Sequence, residues 1–300
     1  MDVEENLFNA SDKHVALPDI KTLVPYAEAG GGFFFSDGNS IHNWNNNSRN
    51  HTIALTNNAD IITSFLPLSP NKLIVSSKSS VSLYLRMSDN EIFTLTKRLV
   101  CNQKENHSLA LNNCEHTTSA DLGPIAVDYS KTAIYYAYGY TAHRMYNVSD
   151  PNQTKPIPLD KSLGNVTAMA LNEDYSYLFT IQKHDSTQTI STYDTASSQL
   201  VRSIQLVGYL DKILQAVPLD NQGVLLCRNN KNHLALVNTY TGQFSAVRNG
   251  TTHLPCDSSE CVHNPIRVRD LTGYNNRQEQ RVDLYGVDMT KMPIALRYNS

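Results

Sequence analysis

Residues 165–206 read NVTAMALNEDYSYLFTIQKHDSTQTISTYDTASSQLVRSIQL, and this stretch decides the fold class. Its apolar positions alternate with polar ones, a period of two that marks strands. The alternation breaks at Asn172-Glu173-Asp174 and again at Asp194-Thr195-Ala196-Ser197-Ser198. Asn, Asp and Ser clusters make turns because their side chains bond the backbone a residue or two further on. Four short strands are predicted. The third ends on Tyr193-Asp194, and this aromatic or branched residue followed by Asn or Asp recurs at Trp44-Asn45, Tyr146-Asn147, Val237-Asn238 and Val287-Asp288, with a degenerate copy at Leu85-Arg86. A period of roughly 40 to 50 residues signals a repeat architecture, since one such unit cannot bury its apolar surface without a neighbour.

Working outward, residues 210–247 repeat the phrase, with a first turn at Pro218-Leu219-Asp220-Asn221-Gln222-Gly223 and a last turn at Asn238-Thr239-Tyr240-Thr241-Gly242. Residues 61–95 and 125–157 fit the same frame. The first unit, about 20–55, is interrupted by Gly30-Gly31-Gly32, and the last, about 266–298, has a weak second strand.

The segments NTYTGQFSAV from Asn238 and YDTASSQLVRSI from Tyr193 resemble the third strand, turn and fourth strand of YVTN-type and WD40-like β-propellers. The resemblance spans most of the chain through short motifs. It implies an all-β fold, a β-propeller of four-stranded antiparallel blades, six in number with seven allowed. No Trp-Asp dipeptide and no Gly-His pair precede the blades, so the WD40 hydrogen-bonded tetrad is not implied. An antiparallel sandwich or barrel is the open alternative.

Composition fits one domain over residues 14–300, with a flexible tail over 1–13 and insertions at about 100–118 and 249–264. The chain has 300 residues, 40% hydrophobic, with a formal net charge of -3, which gives no basic footprint for nucleic acid. No stretch of eighteen apolar residues occurs, so no transmembrane helix is expected, and 1–13 is too acidic and polar for a secretory signal. Residues 14–17 are placed as an outer strand that latches the last blade, because a ring of sheets must protect its final edge. A monomer is expected.

Cys227 lies in an apolar run and reads as a buried core residue. Cys101 with Cys114, and Cys256 with Cys261, form close pairs inside the two insertions and are disulfide candidates, with free thiols or a metal site as alternatives. Disulfides would place the protein in an oxidising compartment, exported or secreted rather than cytoplasmic. Abundant Asn and few Gly would suit a host-delivered bacterial protein. Asn-X-Ser/Thr triplets occur at Asn9, Asn46, Asn50, Asn106, Asn147, Asn152, Asn165 and Asn249. They mark surface loops in a secreted eukaryotic chain, although an Asn-, Ser- and Thr-rich sequence produces many by chance.

Asp19, Asp60, Asp121, Asn165 and Asp211 each precede a first strand and stand about 25 to 28 residues ahead of a strand-end marker. In a propeller they would ring the channel mouth and draw a cation, a basic peptide or an amine. Alternatively each starts a local turn. Tyr135, Tyr136, Tyr138 and Tyr140 form an aromatic stretch suited to anchoring a partner, or a core strand whose rings alternate between faces.

For catalysis, the expected first strands at 22–26, 61–66, 125–127, 167–171 and 214–217 carry no carboxylate. Only Arg267, Arg269 and Asp270 bring charge in the last unit. Phosphate-loop, nucleophile-elbow and zinc-protease motifs are missing, and His42, His143, His184 and His233 are scattered general-base candidates. No catalytic residue, metal ligand or cofactor is assigned. The expected function is a non-catalytic scaffold that docks a protein partner through propeller loops. The competing class is a hydrolase or lactonase-like enzyme with a ligand or metal in the channel.

Overall fold

The computed structural model describes residues 2–6, 21–26, 32–45, 50–56, 60–69, 71–88, 91–102, 114–118, 120–128, 133–147, 150–172, 174–206, 211–219, 223–247, 269–276, 281–287 and 293–297. The chain forms two compact units, Leu17–Leu159 and Asp160–Ser300, the latter joined by Met1–Ala16.

An N-terminal strand, β1 (Asp2–Asn6), comes first. The Leu17–Leu159 unit then holds three sheets: β2 (Thr22–Tyr26), β3 (Gly32–Ser36), β4 (Ser40–Asn45) and β5 (Asn50–Thr56); β6 (Ile62–Ser69), β7 (Lys72–Ser77), β8 (Ser80–Leu85), β9 (Thr94–Asn102) and β10 (Cys114–Thr118); and β11 (Leu122–Asp128), β12 (Ala133–Tyr138), β13 (Thr141–Asn147) and β14 (Asp150–Ile157). The other unit holds β15 (Asn165–Leu171), β16 (Tyr177–His184), β17 (Thr187–Asp194) and β18 (Leu200–Gln205); β19 (Ile213–Pro218), β20 (Val224–Asn229), β21 (Leu234–Asn238) and β22 (Phe244–Ala246); and β23 (Asp270–Asn276), β24 (Arg281–Val287) and β25 (Pro293–Arg297), to which β1 adds.

These are β-propeller blades: four of the sheets hold four antiparallel strands in meander order, and within each unit the first strands of successive sheets pack side by side. Within one unit β15 neighbours β19 and β19 neighbours β23; within the other, β6 lies beside both β2 and β11. The expectation of six or seven four-stranded blades is corrected. Five sheets have that form, while the sheet β6–β10 carries a fifth strand, β10, which runs parallel to β9.

Strands β7 and β20, in the middle sheet of each unit, read as apolar runs because neighbouring sheets of the same unit cover both faces. In β20, Leu225 and Cys227 pack with Ile181, Ile190 and Ile213 on one side, and Leu226 packs with Leu271 and Leu284 on the other. In β7, Leu73 and Val75 join Phe34, Ile41 and Phe65, while Ile74 joins Ile134 and Met145. Each such side chain contributes about 1.5–3 kcal/mol on burial, so the core is spread along the stack of sheets rather than gathered in one centre.

In the Leu17–Leu159 unit, turns between second and third strands tie one sheet to the next. Gly38 O accepts from Ile62 N at 2.7 Å and Lys78 O from Leu122 N at 3.0 Å, each meeting the head of the following first strand. The strand added to the last sheet is β1, antiparallel to β25, inside the stretch expected to be a flexible tail. Residues 14–17, where the latch was expected, lie outside the described residues.

Candidate functional site

The outer edge of the sheet β15–β18 gathers exposed apolar side chains around a cation. Asp194 closes β17, and its Oδ1 accepts from the Ser197 backbone N–H at 2.7 Å and from Ser197 Oγ at 2.6 Å, which reverses the chain into β18. Thr192 then pairs with Arg202 and Tyr193 with Leu200, leaving Val201 as the extra residue of a bulge. Bulges bend an edge and re-aim side chains. Leu200 is 49% exposed and Val201 53%.

The turn 238–243 of the next sheet completes the patch. Asn238 Oδ1 accepts from Tyr240 N at 2.8 Å and Thr241 N at 3.1 Å, and Gly242, at φ +71°, brings its backbone against Gln205 O. Tyr240, 54% exposed, thereby lies under Arg202, whose Cζ is 3.6 Å from the ring centroid. The ring holds the guanidinium by cation–π attraction, worth about 0.5–1 kcal/mol at an exposed site. Arg202 Nε is buried and has no hydrogen-bond partner among the described residues. The patch can take an apolar segment, and the accessible part of the half-buried Arg202 guanidinium can pair with a carboxylate on it.

Among the described residues, Asp60, Asp121, Asn165 and Asp211 each stand at or just before a first strand, and Asp60, Asp121 and Asp211 bond to groups of neighbouring turns and strands. Asp60 accepts from Ile61 N at 2.7 Å, Ser79 N at 3.1 Å and Ser79 Oγ. Burial pushes its carboxyl up, but the hydrogen bonds from Ser77, Ser79 and Ile61 outweigh this and hold it below the ordinary range. Asp121 accepts from Asn102 Nδ2 at 3.0 Å, and Asp211 pairs with Lys231 Nζ at 3.0 Å. Asn165 opens β15 with its side chain exposed. Asp19 lies outside the described residues.

Tyr135 and Tyr136 are buried and on opposite faces of β12, Tyr135 with Arg144 and Tyr136 stacked on His143. Strand alternation therefore gives the core-strand arrangement for these two, and neither ring reaches the surface. Tyr138 is partly buried with its hydroxyl 3.1 Å from His143 Nε2, and Tyr140 is exposed in the turn.

Of the general-base candidates, His42 is buried against Phe35 and 3.4 Å from Asp37, His143 sits among tyrosines, and His184 is exposed beside Asp185. His233 donates its backbone N–H to Asn229 Oδ1. The first strands contain two carboxylates: Asp270, noted in the sequence, and Asp128, which closes β11 and was missed because the expected strand stopped at Val127. Asp270 accepts from Gln215 Nε2, and Gln215 Oε1 accepts from Arg228 Nε and from Leu271 N. This polar cluster joins β19, β20 and β23. Burial lowers the Arg228 pKa, and the Asp270 charge opposes the shift. Among the described residues no three His, Cys, Asp or Glu side chains are grouped to hold a metal ion.

Cys101 and Cys114 form a disulfide, and Cys227 is free and buried. Cys256 and Cys261 lie outside the described residues. No helix among the described residues is long and apolar enough to cross a membrane.

No protein-family model matches this sequence, and no curated protein sequence matches it. Similar folds occur among solved structures. A luciferin-regenerating enzyme aligns with a TM-score of 0.57 at 12% identity, covering 95% of this chain and 92% of that one. A chain of the mitotic checkpoint complex aligns with a TM-score of 0.54 at 10% identity, covering 90% of this chain and 73% of that one. At such identities the likeness is one of fold, the β-propeller.

Proposed function

We propose that this protein is a non-catalytic docking scaffold whose β18 edge receives an extended segment of a protein partner, apolar with a carboxylate set against Arg202. The observation that carries the reading is the exposed group Leu200, Val201 and Tyr240 beside the Arg202 cation stacked on Tyr240. Strand addition suits such an edge, because main-chain bonds supply affinity and alternate side chains supply selection. The chain already extends two of its sheets this way, with β10 on β9 and β1 on β25. Blades fix the backbone, so edge residues lose little freedom on association.

Membership of the WD40-like or YVTN-type propellers belongs to the same proposal, supported by Asx-headed turns after the third strands β17 and β21. So does a single domain over 14–300, supported by neighbours that align over most of the chain. Export to an oxidising compartment is supported by the Cys101–Cys114 disulfide.

The test compares partner recovery on the wild type with that on Leu200→Asp/Val201→Asp, both variants melting normally. The scaffold reading expects selective loss of one partner from the variant and retention by a control changed at Leu95, which is exposed on another sheet. The competing enzymatic reading draws on the name of the luciferin-regenerating neighbour. Bound divalent metal together with lactone or ester hydrolysis would replace the scaffold by that enzyme.

A further inference from the structure

We infer that the docked segment is gripped by one two-way backbone exchange with Ser203, and that an Asp or Glu stands next to the residue making that exchange, with Val, Ile or Leu beyond it. The inference rests on the docking reading and names the chemistry of its partner. The ladder between β17 and β18 fixes which groups point outward. Asp194 N–H donates to Gln199 O at 3.0 Å, and Leu206 N–H to Gln188 O at 2.9 Å. Opposed residues of an antiparallel pair alternate between those that exchange bonds and those whose backbone groups turn away. Counted from either end, Ile190 with Ile204 and Thr192 with Arg202 exchange bonds, and Ser191 with Ser203 does not. The hydroxyls of Ser191 and Ser203 lie 3.1 Å apart, the closer side-chain approach of a non-bonded pair. Ser203 is exposed on the outermost strand of its sheet, so its N–H and C=O face away from β17 along an open edge.

Both limits of that edge are set by the fold. Gln205 points the same way, but the turn 238–243 brings the Gly242 backbone against its carbonyl oxygen and closes the edge there. At the other end the bulge at Val201 interrupts the ladder. The open run, 200–203, offers Ser203 and little more, so one exchange and the side chains beside it must carry the selection. A residue laid opposite Arg202 shares its face of the sheet, where its carboxylate meets the guanidinium held by Tyr240. The residue after it, farther from Ser203, falls beside Leu200 and Val201, 49% and 53% exposed, and is apolar for that reason. A second copy of β18, LVRSIQ, brings Arg and no acid to the same place and does not complement it.

The experiment selects a displayed library of random heptapeptides on the full chain and measures the winners against variants of it. Ser203→Ala keeps the N–H; Ser203→Pro removes it, and proline is tolerated where a strand's N–H faces outward. Should the proline variant not fold, glyceric acid inserted at 203 removes the same N–H as an ester. Leu200→Asp/Val201→Asp tests the docking reading itself. Expected are winners with Asp or Glu beside Val, Ile or Leu, bound equally by Ser203→Ala and about tenfold more weakly once the N–H is gone. Winners that ignore the loss of that N–H, or lack the acidic residue, yet fail on Leu200→Asp/Val201→Asp, would overturn this inference and leave the docking reading standing. Winners that bind Leu200→Asp/Val201→Asp as they bind the wild type, or no winners at all, would overturn both.

Discussion

Gln188 clamps Ile213 to its own sheet: Gln188 Oε1 accepts from the Ile213 backbone N–H at 2.8 Å, while Gln188 Nε2 donates to Asp211 O at 3.2 Å. Both residues are buried, so the side chain of β17 does for the head of β19 what the turn carbonyls of Gly38 and Lys78 do in the other unit. Gln188→Leu keeps most of the volume and removes both partners, leaving a buried N–H and a carbonyl unsatisfied. The expected loss is about 1–3 kcal/mol in denaturant unfolding, with little change in the control Gln199→Leu at an exposed turn.

Gly242 is required twice over. Its φ of +71° is disfavoured for any residue with a Cβ, and a Cβ there would meet Gln205 O at 2.3 Å. Gly242→Ala should therefore lower the melting temperature and also disturb the Arg202–Tyr240 stack, which Tyr240 fluorescence quenching by added anions would register. A melt equal to that of the wild type would contradict the close approach of this turn to β18.

The disulfide closes a loop with a sequence separation of 13 and fastens the parallel strand β10 beside β9. Cys101→Ser/Cys114→Ser should cost about 3 kcal/mol by the chain-entropy account, and amide exchange should accelerate first in β10. Cys227 should resist alkylation in the native state and react after denaturation, because complete burial pushes its thiol pKa far up and hides it from reagent.

Acid should weaken the Leu17–Leu159 unit through Asp37 and Asp60. In both, burial raises the pKa, and hydrogen bonds prevail: from Ser40, Asn39 and His42 to Asp37, and from Ser77, Ser79 and Ile61 to Asp60. A folded-state pKa held below the unfolded one gives stability that is present above about pH 4 and is lost as pH falls through the lower, folded value. Urea midpoints measured downward from about pH 5 should fall on acidification. Asp60→Asn should flatten that fall while lowering the midpoint at neutral pH.

Much of the fold was legible because turn chemistry is local. Asn45, Leu85, Asn147, Asp194 and Asn238 end the third strands β4, β8, β13, β17 and β21, as the repeated phrase implied. The phrase failed at Val287, which ends β24, the second strand of its sheet. Among the described residues the C-terminal segment supplies three strands to that sheet, with β1 as the fourth, so the counting slipped by one strand. Strand alternation could place the rings of Tyr135 and Tyr136 on opposite faces but could not say that both faces would be covered. The patch around Arg202 was illegible for another reason: it joins a bulged strand to a turn of the next sheet, and neither the bulge at Val201 nor that approach has a sequence signature.

The docking claim is tested most directly by placing a photo-activated benzophenone side chain at Val201, and separately at Leu95, in the full chain exposed to its native extract. The account predicts one discrete protein adduct from position 201 that disappears when Arg202 is also changed to Ala, and no such adduct from position 95. No adduct from 201, or the same adducts from both positions, would contradict it.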